Sequence, residues 1–157
     1  MFEYVKFAHE LANASGEVIK KYFRSNLSVE DKMDKSPVTI ADRITETVLR
    51  EMISKRFPEH DILGEEFGFN SSGSKWKWVL DPIDGTRSFI LGMPIFGTLI
   101  SLVENEIPQI GIIDIPMTEE RWIGFKKNNS LFYSSKNNKK TASCNVSNQK
   151  LLSKATL

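Results

Sequence analysis

Two runs of helical periodicity followed by a train of short apolar bursts predict an α+β fold, with helices layered on an antiparallel sheet. The first run covers residues 2–23, where Val5, Ala8, Leu11, Ala12, Ile19, Tyr22 and Phe23 mark one core-facing stripe. A polar stretch over 25–36 follows, in which Leu27, Val29 and Met33 alternate with polar residues and suggest a short strand and loop. The second run, over 40–57, carries Ile40, Ile44, Val48, Met52, Ile53 and Phe57 and is stopped by Pro58. Thr39 with Asp42 three residues later has the spacing of a capping box at its start. Beyond Pro58, strands are predicted at 61–64, 75–80, 95–103, 107–115, 121–125 and 131–133. The connections 104–106, 116–118 and 126–129 are short, and short connections favour antiparallel neighbours.

Composition sets the outer bounds. The chain has 157 residues, 40% of them hydrophobic and 26% charged, enough for one domain with a buried core. Lys and Arg number 21 against 20 Asp and Glu, so no global field recruits nucleic acid or an acidic membrane surface. The pairs Lys126-Lys127 and Lys139-Lys140 lie in Asn- and Ser-rich turns and read as solvated. A single cysteine, Cys144, cannot form an internal disulfide and fits a reducing compartment. No apolar run reaches the length of a spanning helix, and the start lacks the pattern of a signal peptide, so a cytoplasmic protein is expected.

The chemistry concentrates in Trp78-Val79-Leu80-Asp81-Pro82-Ile83-Asp84-Gly85-Thr86, where an apolar strand runs into two carboxylates, a proline, a glycine and a hydroxyl. If Pro82 turns the chain sharply, Asp81 and Asp84 point at one spot and their repulsion demands a cation. Oxygen ligands suit Mg²⁺, with Glu65 or Glu66 and a backbone carbonyl such as that of Ile83 as further donors. Gly85 and Thr86 open a helical turn whose free amides can face an anion. Metal-binding carboxylates beside an anion cradle suit metal-assisted hydrolysis of a phosphate ester. The same residues admit plainer readings: 81–85 as a polar turn, Asp42 as a helix cap, Glu65-Glu66 as a solvated turn. His9, His60, Trp76 and Trp78 read as structural.

Three ordered segments, Lys35-Ser36-Pro37-Val38-Thr39-Ile40-Ala41-Asp42, then Gly64-Glu65-Glu66, then 78–86, resemble the inositol monophosphatase superfamily. The resemblance implies the N-terminal half of the inositol monophosphatase and fructose-1,6-bisphosphatase-like fold, and a Mg²⁺-dependent phosphate monoester hydrolase. It implies that Glu65, Asp81 and the Ile83 carbonyl hold one ion, Asp81 and Asp84 a second, and Glu65 helps with a third. Asp42 and Thr86 would then orient or deprotonate the attacking water, and the Gly85 and Thr86 amides would bind phosphate.

The stretches 85–90 and 92–100, together with 111–114, Pro116 and 120–124, look more like histidinol-phosphatases than inositol phosphatases, which makes L-histidinol phosphate the expected substrate and inositol monophosphate the alternative. Arg87, beside the phosphate turn, is placed to contact the ester or brace the loop through a carboxylate. A homodimer is expected by the same resemblance. Family members run to roughly 250 residues or more, and their second half supplies a Trp-Asp aspartate to the second metal. Residues 1–142 are therefore expected to form the metal-binding domain and 143–157 the start of a truncated C-terminal α/β domain. An inactive metal-binding remnant, a transcription-associated binding module and a nucleotide phosphatase of sulfur assimilation are the other readings.

Overall fold

In a computed structural model, all residues are described except 26–28, 32–36, 127–129, 136–139, 145–146 and 156–157. Helix α1 spans Phe2–Tyr22, and a two-stranded ribbon of β1 (Val29–Asp31) and β2 (Pro37–Thr39) leads into α2 (Ile40–Arg56). Then come β3 (Asp61–Gly64), β4 (Gly68–Asn70), β5 (Trp76–Asp84) and a short helix α3 (Thr86–Ile90). The strands β6 (Gly97–Glu104), β7 (Ile107–Ile115), β8 (Glu120–Phe125), β9 (Ser130–Ser135) and β10 (Lys140–Cys144) complete an eight-stranded sheet, and a 3-10 turn covers Leu152–Lys154. The sheet order is β10-β9-β8-β7-β6-β5-β3-β4. Of the alternating residues expected over 25–36, Val29 opens β1, whereas Leu27 and Met33 lie outside the described residues. Strands β2, β4 and β10 lie outside the strands expected from the sequence.

The expected antiparallel meander holds from β5 to β10, but the sheet is mixed, because β3 and β5 pair in parallel. The short link between them contains a third strand. β3 turns back into the edge strand β4, and residues 71–75 then cross the start of β3 to set β5 on its other side. Asp61, the first residue of β3, pegs this crossing. Its Oδ1 accepts the Ser72 amide (2.6 Å), the Ser72 hydroxyl (2.9 Å) and the Ser74 amide (3.3 Å).

Helices α1 and α2 cover one face of the sheet. Phe7, Leu11, Leu49 and Ile53 pack on Trp78, Leu80, Ile100, Leu102, Ile110 and Ile112, which are alternate residues of β5, β6 and β7. Trp78 is fully buried and donates its indole N–H to His60 Nδ1 at 3.1 Å, while His60 stacks on Phe57. Burial holds the His60 pKa below its ordinary value, which favours the neutral ring that accepts this bond. The opposite face presents Val79, Leu99, Gly111, Ile113 and Trp122 as a shallow apolar concavity, with Ile113 47% exposed. Among the described residues, no helix is long and apolar enough to cross a membrane.

A buried polar lock ties α1 to the far part of the sheet. Asp114 and Arg121 are cross-strand partners on β7 and β8, and Arg121 Nε donates to Asp114 Oδ1 at 2.7 Å. The same guanidinium meets His9 Nδ1 at 3.0 Å and Asn13 Oδ1 at 2.9 Å, both on α1. Burial, and then the Arg121 charge, hold His9 below its usual pKa, so its ring nitrogen accepts. Replacing Arg121 with Ala is expected to cost about 3–5 kcal/mol in urea unfolding, because Asp114 is left as an uncompensated buried charge. The apolar pair Asp114→Leu with Arg121→Met should recover most of that loss.

Asp61 carries a pH signature. The Ser72 amide, against the opposing effect of burial, holds its carboxyl below the usual range. The stabilisation is therefore complete above the unfolded-state value near ~4 and is lost as pH falls through the lower folded value. Stability measured by chemical denaturation is expected to fall less steeply below about pH 4 in Asp61→Asn than in the parent.

Candidate metal and phosphate site

The site is built around an irregularity in β5. Asp81 pairs with Leu99 and Asp84 with Gly97, so Pro82 and Ile83 oppose Thr98 alone. This is a bulge, not the sharp turn expected at Pro82; the strand continues to Asp84. A proline is tolerated there because the pairing of β5 with β3 ends at Leu80, leaving no ladder partner for a Pro82 N–H. The Pro82 carbonyl, displaced by the bulge, accepts the Thr98 hydroxyl at 2.8 Å. With the Thr98 proton committed, the 2.5 Å contact between Ser15 and Thr98 is a Ser15 donation, which ties the bulge to α1. Neither Ser15 nor Thr98 stands out in the sequence, since both look like ordinary small residues on buried faces.

Asp81 emerges on the open side of the sheet, beside Val79 and Leu99. Glu65 follows β3 directly, and its amide donates to the Leu80 carbonyl at 3.1 Å, so the two carboxylates leave adjacent parallel strands side by side. Burial first, then a hydrogen bond shared with Glu65, then the charges of Glu65, Asp84 and Asp42, push Asp81 up to about 8. Asp81 Oδ1 is buried and has no hydrogen-bond partner. An orphaned carboxylate oxygen among three other carboxylates fits a hard cation, and among the described residues no histidine or cysteine joins the group to argue for a softer one. Among the described residues, no three such side chains converge closely enough to hold a metal as they stand.

Asp42 is 2% exposed and divides its oxygens between two tasks. Oδ2 accepts the Thr39 amide (2.8 Å) and hydroxyl (2.7 Å), closing the capping box at the start of α2. Oδ1 lies 3.4 Å from the Thr86 hydroxyl. Cap and site residue are therefore the same carboxylate. Thr86 makes its better hydrogen bond to the Ile83 carbonyl, at 3.0 Å.

Gly85 precedes α3 with φ +92°, a left-handed conformation that favours glycine. The helix leaves its first amides without intrahelical partners, and Phe89, packed edge-on against Phe96, anchors it. It ends in a Schellman arrangement, with Gly92 N bonded to Phe89 O and Met93 N to Ser88 O. Arg24 then forks onto the Gly92 carbonyl through Nε (3.1 Å) and Nη2 (3.0 Å). Arg24 braces this loop, while Arg87, expected to contact the ester or to brace the loop through a carboxylate, is exposed and forms no ion pair among the described residues. A cavity of ≈ 400 Å³ lined by Asp84, Gly85, Ile95, Phe96, Leu99 and Ile113 adjoins the turn.

These features define an α+β protein with a carboxylate cluster beside a glycine-opened helical turn, and the model of the inositol monophosphatase family matches residues 1–157. The chain belongs to that family. It is 53% identical over 116 residues to the Bifunctional phosphatase IMPL2, chloroplastic, of Arabidopsis thaliana, covering 73% of this chain and 34% of that protein. It is 44% identical over 117 residues to the Histidinol-phosphatase of Chlorobaculum parvum, covering 74% and 45%. Among solved structures, an inositol monophosphatase from Zymomonas mobilis matches with a TM-score of 0.66 at 44% identity, covering 79% of this chain and 47% of that one. An IMPase from Thermotoga maritima matches with a TM-score of 0.77 at 28% identity, covering 86% and 55%. The chain spans half or less of the length of the curated relatives it matches.

The bulge can be tested without a substrate. Thr98→Val keeps the volume but leaves the Pro82 carbonyl and the Ser15 hydroxyl buried without their partner. An expected loss of about 1–3 kcal/mol is measured by denaturant unfolding.

Proposed function

We propose that this chain carries the metal-binding part of a Mg²⁺-dependent phosphate monoester hydrolase that converts L-histidinol phosphate to L-histidinol and phosphate. The observation that carries the reading is the buried, partnerless Oδ1 of Asp81 amid Glu65, Asp84 and Asp42, at the mouth of the Gly85 turn. Glu65, Asp81, Asp84 and the Ile83 carbonyl are the residues that would hold two to three ions. When bound, Mg²⁺ supplies activation of water and charge compensation for the ester oxygen that departs.

The rest falls to the chain's own groups. Rotation of the Thr86 hydroxyl from the Ile83 carbonyl toward Asp42 Oδ1 turns its oxygen into an acceptor for the attacking water and frees the carbonyl. As the water's proton passes to the Thr86 oxygen, the Thr86 proton passes to Asp42 Oδ1, which is held in place by the cap bonds to Oδ2. The Gly85 and Thr86 amides receive the phosphate, with Arg87 exposed beside them. The open face beyond Leu99 and Ile113 suits a second layer; in this reading residues 1–142 are one domain and 143–157 the start of another, with the boundary falling inside β10, which runs to Cys144. A homodimer in a reducing cytoplasm, suited to the lone thiol of Cys144, completes the reading.

The substrate assignment is supported by relatives. Those named histidinol-phosphatase are 36–44% identical, those named inositol monophosphatase 29–31%, and one named fructose-1,6-bisphosphatase/inositol-1-monophosphatase 36%. Inositol monophosphate is the second reading, favoured by the 44% identity to the Zymomonas mobilis inositol monophosphatase. Phosphate release from a panel of monoesters, with the Chlorobaculum parvum relative as reference, tests both. Histidinol phosphate is expected to be hydrolysed fastest, EDTA to stop release, and Asp81→Asn to lower it by about 10²-fold or more. Faster release from inositol monophosphate moves the assignment to the second reading. No metal-dependent release from any ester ends both.

A further inference from the structure

Glu46 is fully buried on α2, yet it belongs to none of the groups discussed above. A buried carboxylate is costly unless every oxygen is engaged. Here Oε2 accepts the Glu66 amide at 2.7 Å, and Oε1 accepts the Phe67 amide at 3.2 Å and Arg50 Nε at 2.7 Å. Arg50, one turn along α2, extends Nη2 to the Gly68 carbonyl. The pair therefore grips three successive residues, Glu66, Phe67 and Gly68, where β3 turns into β4.

Glycine at 64 is what admits this grip. A Cβ there would stand 2.0 Å from Glu46 Oε1, so any side chain would expel the carboxylate. Glu65 lies between Gly64 and the gripped amides, and its own amide is tied to Leu80 on the other side. Held at both flanks, its backbone has little freedom, and its side chain is delivered to Asp81. Glu46 stands apart from the acidic cluster, because both of its oxygens are already taken by the Glu66 and Phe67 amides and by Arg50.

We infer that Glu46 and Arg50 are positioning residues, a clamp on α2 that sets Glu65 beside Asp81 for cation binding. The inference rests on the reading of Glu65 and Asp81 as cation ligands, and the experiment separates the two. Mn²⁺ binding to the purified chain is measured by the loss of the free-ion EPR signal, for the parent, Asp81→Asn, Glu46→Gln and Arg50→Lys. Circular dichroism and hydrogen exchange at the Glu66 and Phe67 amides report fold and clamp.

Glu46→Gln turns an acceptor into a donor facing these amides. It is expected to speed their exchange and to weaken Mn²⁺ about 10- to 100-fold, the usual effect of removing a group that orients a ligand. Arg50→Lys keeps the charge but loses the fork to Gly68, so a smaller loss in a folded protein is expected; this variant decides the matter if Glu46→Gln does not fold. A clamp that serves the fold alone predicts faster exchange with unchanged Mn²⁺ affinity. Parent-like affinity in both folded clamp variants, alongside loss in Asp81→Asn, overturns the inference. No binding by the parent, or full binding by Asp81→Asn, overturns the cation reading beneath it.

Discussion

The donation of the Thr98 hydroxyl to the Pro82 carbonyl is the contact on which the rest of the site depends. A regular β5 would place Asp81 and Ile83 on one face of the sheet, with Asp84 opposite. The extra residue changes that phase. Ile83 enters the cluster of Phe89 and Phe96, while Asp84 reaches the open side beside Gly85. The displaced carbonyl needs a buried donor, and Thr98, itself held by Ser15, provides one. Thus two hydroxyls on α1 and β6 determine where carboxylates on β5 point, although neither touches them.

The parallel pairing of β3 and β5 makes the second contribution. Antiparallel neighbours would send the ends of these strands to opposite edges of the sheet, whereas the observed pair delivers Glu65 and Asp81 together. The detour through β4 and the peg at Asp61 are what the chain needs to achieve this within a short stretch. On one face the sheet is filled by α1 and α2; on the other, the apolar surface from Val79 to Ile113 adjoins the acidic cluster.

Much of this was legible in the sequence because period and punctuation were clear. The stripes of α1 and α2, the Thr39 and Asp42 spacing and the strand at 107–115 follow directly from local pattern. The approach of Asp81 to Asp84 was legible in their spacing, whereas Glu65 and Asp42, which read equally well as a turn and a cap, joined them only through the resemblance. What was not legible is non-local. The bulge depends on a hydroxyl sixteen residues away in sequence, the Glu46 grip on an amide twenty away, and the Arg24 fork on a carbonyl sixty-eight away. A buried charge such as Arg121 also defeats pattern reading, since polar residues in strands ordinarily mark the solvent face.

Asp42 gives one carboxylate two employers, α2 through one oxygen and Thr86 through the other. Side chains that serve a single purpose can drift when that purpose relaxes, but this one cannot. A chemically similar replacement that tuned the proton affinity facing Thr86 would also loosen the first turn of α2, the helix that carries Glu46. The oxygen that faces Thr86 and the cap of α2 are therefore not separately adjustable at this position, and the cap alone is a reason to keep the residue.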